Sequence, residues 1–200
     1  MGRKKTYDRE EVADQAMHLF WSNGYHSTTA RQLADATGVN LYSLYAEFGS
    51  KEGLYQAAVE RYERDMVTQY IGALEEPGAS LSTLRNVLLQ FAEFPKADGG
   101  APGCLLCNAA IEQAPTPNLS QASTARYVSR LTRALTHALE NARSDGSLQS
   151  DIETEPIGQY LCAVLLGLFV MIRAKVSVEI IDGTVEQAIA QLDALRTAAP

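Results

Sequence analysis

Helix-start signals recur along this chain, and no stretch of it alternates as a strand does. Asp8-x-x-Glu11, Thr29-x-x-Gln32 and Thr184-x-x-Gln187 each set a short oxygen-bearing residue three positions ahead of Glu or Gln, the spacing of a capping box. Apolar residues then recur at intervals of three and four, as in Val12, Ala16, Leu19, Phe20 and in Leu81, Leu84, Leu88, Phe91. There is no sustained two-residue alternation and no hairpin dipeptide between β-branched runs. The pattern predicts an all-α fold of about nine helices, with three or four short ones in an N-terminal head and the rest in a larger body.

Stop signals place the boundaries. Tyr7 and Val12 flank the Asp8 cap as a hydrophobic staple would, and Asn23-Gly24 reads as a left-handed stop for helix 1. Helix 2 opens at Thr29 and ends in the Gly38 turn. Asn40 caps a third helix that runs to about Phe48, with Leu44 and Phe48 inward. Two short helices joined by a glycine-containing turn have the sequence shape of a helix-turn-helix. Ser50 caps a fourth helix expected to continue to about Tyr70. Further helices are expected over 81–91, 104–113, 119–144, 157–174 and 185–195, the last opened by Thr184. The expected division is a head over 1–50 and a helical body over 51–200.

Charge narrows the partners. Residues 1–51 hold equal numbers of basic and acidic side chains, so the net charge of −7 falls on the rest. An acidic body argues against coating nucleic acid or membrane by bulk charge but leaves a local DNA-binding face open. The longest apolar run, Tyr160 to Ile172, is thirteen residues, short of the roughly 20 that a span needs, so it is expected as a buried helix and no membrane partner is expected. The basic start Arg3, Lys4, Lys5 has no apolar stretch behind it and does not read as a signal peptide; its Gly2 and Thr6 fit the loose acylation pattern by coincidence. Three cysteines without an export signal point to a reducing cytoplasm.

Two features of the head exceed what packing requires. Lys51 sits in the first turn of a helix, where the dipole disfavours a cation and a docked phosphate would reverse the sign. The outer side of the third helix carries Asn40, Tyr42, Ser43 and, at its flank, Tyr45. These neutral hydrogen-bonding and aromatic groups suit base edges and phosphate oxygens in a major groove. The alternative is an ordinary solvated face.

The stretches Gly24-Tyr25-His26-Ser27-Thr28-Thr29-Ala30-Arg31-Gln32-Leu33-Ala34, Gly38-Val39-Asn40 and Ser43-Leu44-Tyr45-Ala46-Glu47-Phe48-Gly49-Ser50-Lys51-Glu52-Gly53-Leu54 resemble the head of TetR-family repressors. The resemblance implies that Thr28, Thr29 and Arg31 contact phosphate or groove edges, that Asn40, Leu41, Tyr42 and Ser43 begin the recognition helix, and that Tyr45 and Lys51 hold backbone phosphates. Tyr42 departs from the small residue many members carry there, which makes it a candidate for direct base reading. The resemblance further implies a homodimer on a near-palindromic double-stranded DNA operator, released by a small-molecule inducer of unknown identity or by thiol modification, and no cofactor.

The body would then dimerise and sense. Leu161, Val164, Leu165 and Leu168, with Ile189 and Leu192 on the last helix, are the candidate dimer interface, as half of an intersubunit four-helix bundle; an intramolecular core helix is the alternative. Tyr62, Met66, Phe91, Tyr127 and Phe169 are candidate walls of a ligand pocket. Cys104 and Cys107 form a C-x-x-C at the start of a short helix. Zinc would want four ligands, and Cys162, His18, His26 and His137 are not at partner spacing, so no metal site is expected. The pair reads instead as a candidate redox sensor, and Gly103-Cys104-Leu105 resembles the hypochlorite- and electrophile-sensing branch of TetR regulators. No Ser/His/Asp arrangement, P-loop or dinucleotide fingerprint is present, so no enzyme is expected. The rival readings are a small-molecule-binding interaction protein whose head contacts a protein partner, and a thiol oxidoreductase using Cys104 and Cys107.

Overall fold

The computed structural model describes residues 7–93, 102–112 and 117–197, without the side chains of residues 66, 70 and 117–121. The basic arm of Arg3, Lys4 and Lys5 and the side chain of Met66 therefore lie outside the described residues. Those that are described form ten α-helices and one π-helical turn: α1 Arg9–Asn23, α2 Ala30–Thr37, α3 Leu41–Phe48, α4 Lys51–Tyr62, the π turn Glu63–Val67, α5 Thr68–Glu75, α6 Leu81–Glu93, α7 Leu105–Ile111, α8 Pro117–Ser144, α9 Thr154–Arg173 and α10 Val178–Ala194. No strand interrupts them; a single isolated bridge joins Leu148 to Arg196. The all-α expectation holds.

The chain divides into two compact units, 1–66 with 104–124, and 67–103 with 125–200. In the first, α1 packs along α4, α2 and α3 complete a three-helix head, and α7 lies against α1 and α4. Its core is built from Val12, Ala16, Phe20, Leu33, Leu44, Leu54 and Ala58, all nearly inaccessible. Thus α4 and α7, which lie beyond a cut at residue 50, share the head's compact unit. In the second unit α6 and α10 pack together, with α9 beside both.

The caps act largely as the spacing predicts. Asp8 accepts from the Glu10 amide at 2.8 Å. Thr29 and Gln32 form a reciprocal capping box, Asn40 accepts from the Ser43 amide at 2.9 Å, and Ser50 from the Gly53 amide at 3.2 Å. Gly38 is left-handed at φ 65°, ψ 10°, which only glycine adopts without strain.

Three local expectations need correction. Gly24 has φ 81° but ψ 167°, an extended mirror-image conformation rather than a left-handed helical stop; its N–H still closes on the Phe20 carbonyl at 2.8 Å. The helix expected from Ser50 to Tyr70 is interrupted by the π turn, which adds a residue to one turn of backbone. The last helix starts at Val178, not after Thr184: Thr184 lies inside it and donates to the Ile180 carbonyl at 2.8 Å, the back-bonding open to a mid-helix hydroxyl.

The long apolar helix α9 extends beyond the thirteen-residue run to 20 residues, and a mean hydropathy of 1.7 over an 18-residue window of it is enough for a span by length and composition alone. Its Leu161, Cys162, Leu165, Leu168, Phe169 and Ile172 are buried within the body instead.

Candidate DNA-binding face and thiol cluster

The helix-turn-helix face is assembled from α2, the Gly38 turn, α3 and the start of α4. Burial of Leu33 on α2 and of Leu44 and Phe48 on α3 turns the opposite sides of both helices to solvent. Tyr42 is 86 % exposed at the start of α3, and Leu41 beside it is 37 % exposed. Leaving a tyrosine ring so nearly bare forgoes the gain from burying it, so packing does not account for this residue. Asn40 is exposed, but its side-chain oxygen is engaged in the cap. Its NH2 remains free of the cap, while its oxygen already carries one backbone bond.

Tyr45 and Ser43 are half-buried at the flanks. Arg31 is extended into solvent with only the long 3.7 Å approach of Asp35, worth little at such exposure and easily exchanged for a phosphate. Thr29 is exposed within its capping box. Thr28 is a correction: it is 1 % exposed, and its hydroxyl donates to the Gly24 carbonyl at 2.6 Å, so it ties the α1–α2 loop and presents nothing to a phosphate.

Lys51 is half-buried at the first turn of α4, with its ammonium 4.3 Å from the centroid of the Tyr25 ring. Partial burial lowers its pKa from the ordinary lysine value. The ring face is an attractive seat for a cation and holds it at the helix start. Tyr25 belongs to an aromatic cluster, 5.9 Å from Phe20 and 4.9 Å from Tyr55. Its main-chain N–H donates to Glu112, just past the end of α7, at 2.8 Å. Sequence reasoning missed both Tyr25 and Glu112, which stand 87 residues apart; the one local sign was Gly24, where any side chain would collide with the Glu112 carboxylate.

The second cluster surrounds α7. Cys104 and Cys107 are buried free thiols, as is Cys162. Burial pushes the Cys104 thiol up, but the Cys107 side chain and amide, the Tyr62 hydroxyl and the Leu106 amide outweigh it and bring it down to about 7. Cys162 goes the other way: burial raises it, and the Thr132 hydroxyl offsets only part of that. Among the described residues no group of three or more His, Cys, Asp or Glu gathers as a metal site.

The expected pocket walls fall in both compact units. Tyr62 is buried in the first unit, edge-on to Trp21 at 5.2 Å; Tyr127, Phe91 and Phe169 are buried in the second, the last two edge-on at 4.7 Å. Two grooves of the second unit lie elsewhere. One of about 560 Å³ between α6 and α10 is lined by residues including Asn86, Leu89, Glu93 and Glu186. One of about 290 Å³ between α9 and α10 is lined by residues including Ile157, Tyr160, Gln191 and Leu195. The expected dimer residues Leu161, Leu165, Leu168 and Leu192 are at most 2 % exposed, and Ile189 is 8 % exposed; they are committed to the body's own core. Of that set only Val164 keeps partial exposure, on a stripe with Tyr160, Ala163, Gly167 and Val170.

An exposed recognition helix held by a capped turn on a three-helix head defines a helix-turn-helix DNA-binding module. Residues 12–58 match the family model of bacterial regulatory proteins of the tetR family, and residues 80–188 match the tetracyclin repressor-like C-terminal domain. The chain belongs to the TetR family and is a DNA-binding transcriptional regulator rather than an enzyme.

Among its relatives is the HTH-type transcriptional repressor ComR of Escherichia coli, 28% identical over 89% of this chain and 85% of that protein. The uncharacterized HTH-type regulator YezE of Bacillus subtilis is 28% identical over 96% and 100%. A cysteine mutant of the TetR-family regulator CifR, solved on 26-bp double-strand operator DNA, superposes with TM-score 0.81 at 27% identity over 94% of this chain and 98% of its own. Reduced NemR of E. coli shares the fold, with TM-score 0.80 at 21% identity over 96% and 97%.

Proposed function

We propose that the chain is a cytoplasmic, homodimeric repressor whose two α3 helices enter successive major grooves of a near-palindromic operator. The observation that carries this is the nearly bare Tyr42 at the start of α3, flanked by Leu41 and Asn40 and backed by Lys51 at the start of α4. The operator complex of CifR supports it. Direct reading falls to Tyr42 and Leu41, while Arg31, Thr29, Tyr45 and Lys51 address the backbone. The body over 67–103 and 125–197 pairs the copies and receives the inducer. The two half-sites are spaced about one DNA turn, roughly 34–36 Å.

A gel shift against the DNA flanking the protein's own gene, titrated with salt, tests this. Expected is a retained duplex whose log affinity falls linearly with log salt. A protein that retains no duplex at low salt overturns it and leaves the protein-partner reading.

The thiol cluster favours a second reading, that oxidation releases the operator. Hypochlorous acid transfers chlorine to the Cys104 thiolate and leaves hydroxide. The Cys107 thiol attacks the resulting sulfenyl chloride, the S–S bond forms, and chloride and a proton depart. Two thiols are oxidised and one hypochlorous acid is reduced to chloride and water. Operator release after mild hypochlorite, lost when Cys104 and Cys107 are both replaced by Ser, is the expected result. Release unchanged in that double variant overturns it.

A further inference from the structure

The end of α7 reaches the DNA-binding face through a short chain of contacts. Glu112 Oε2 accepts from the Tyr25 main-chain N–H at 2.8 Å. Its carboxylate occupies the space where a Cβ on Gly24 would stand, so this glycine admits the acid, and its φ of 81° presents the next amide to it. Burial first, and then the charge of the same carboxylate and Tyr25, raise the pKa of the buried Tyr55 hydroxyl. The loop is thus held at the amide by α7 and at the ring by Phe20 and Tyr55. The outer contact of that ring is the Lys51 ammonium.

We propose that Glu112 is the positioning residue by which α7 sets Lys51 for its phosphate, acting through the Tyr25 amide and ring. The proposal rests on the reading of Lys51 as a backbone contact. A buried or half-buried amide bonded to a carboxylate is a strong, directional tie. Without it the α1–α2 loop keeps its apolar anchors but loses the bond that fixes the height of the Tyr25 ring under the ammonium. Because Cys104 is the residue just before α7 and Glu112 the residue just after it, a rearrangement at the thiols is delivered to the head at this point.

The test is a double-mutant cycle on operator binding, read as salt slope as well as affinity. Lys51→Ala is expected to flatten the log–log slope by about 0.9 per half-site, as one phosphate contact would. Glu112→Ala is expected to flatten it by a similar amount and to weaken binding about three- to tenfold. The double variant is expected to be no weaker than Lys51→Ala alone. Glu112→Gln keeps an acceptor for the amide and should recover affinity to within about twofold of the native protein.

An unchanged slope in a folded Glu112→Ala, or additive losses in the double variant, overturns the proposal while leaving DNA binding intact. If Glu112→Ala unfolds, a Glu112→Gln slope as flat as that of Lys51→Ala overturns it equally. A native protein that binds no duplex would instead fail the underlying reading.

Discussion

In the proposed reading Tyr42 and Lys51 address different parts of a duplex. Tyr42 stands clear of the protein at the start of the recognition helix, where a ring meets base edges or a thymine methyl. Lys51 carries a charge seated on the Tyr25 ring at the start of α4 and is proposed to meet a phosphate. Tyr42→Ala is therefore expected to narrow the affinity gap between operator and unrelated duplex. Lys51→Ala is expected to weaken both alike and to flatten the salt slope by about 0.9 per half-site. Equal loss of preference in the two variants would refute this division.

Cys104 offers a second check at this scale. Its folded pKa is depressed from 9.0 to about 7, so the thiolate adds stability at high pH, and that contribution disappears as pH falls through 7. Thiolate absorbance near 240 nm should rise with a midpoint near pH 7 in the native protein and lose that step in Cys104→Ser. A midpoint that stays above 8.5 would contradict the geometry.

At the scale of the elements, the head is held by its caps and the body by close helix contact. The Thr29–Gln32 box satisfies donors at both ends of its reciprocal bonds. Thr29→Ala should cost about 1 kcal/mol in urea unfolding, with operator binding weakened beyond what that loss explains if Thr29 also meets the backbone. On α9, Gly158 faces Thr136 of α8 so closely that a Cβ would overlap its hydroxyl. Gly158→Ala should lower the unfolding midpoint, and Thr136→Ala in the same chain should restore part of it; no restoration would mean the contact is not what requires glycine.

For the whole molecule, the question is which apolar face is left for a second copy. The leucines at 161, 165 and 168 are used within the body, and Leu165→Ala should destabilise the fold by about 2–5 kcal/mol. The face that remains, through Tyr160, Val164 and Val170, is the one a partner would cover. Val164→Glu is thus expected to leave unfolding nearly unchanged but to shift sedimentation from dimer to monomer and to weaken operator binding sharply, because each half-site then binds alone. A dimer that survives this change would place the interface elsewhere. An inducer that moves such a dimer from 99:1 to 1:99 between its two states needs a preference of about 5.5 kcal/mol.

Much of this architecture was legible in local chemistry. Short-range rules govern a cap, a glycine turn and an i, i+4 apolar pair, so Asp8, Thr29, Asn40, Ser50 and Gly38 marked the head, and Leu44 and Phe48 told α3 which side to show. What depends on packing was not legible. The same apolar period on α9 is compatible with a core and with an interface, and only the arrangement of neighbouring helices buried Leu165 and left Val164 partly exposed. Thr28 and Thr29 look alike in sequence, but the loop turned the first inward to the Gly24 carbonyl. The thiol pair drew notice as a motif, whereas its ionisation needed the Tyr62 hydroxyl from another helix. The carboxylate of Glu112 met the Tyr25 amide across 87 residues, and a contact of that range leaves no periodic trace in the chain.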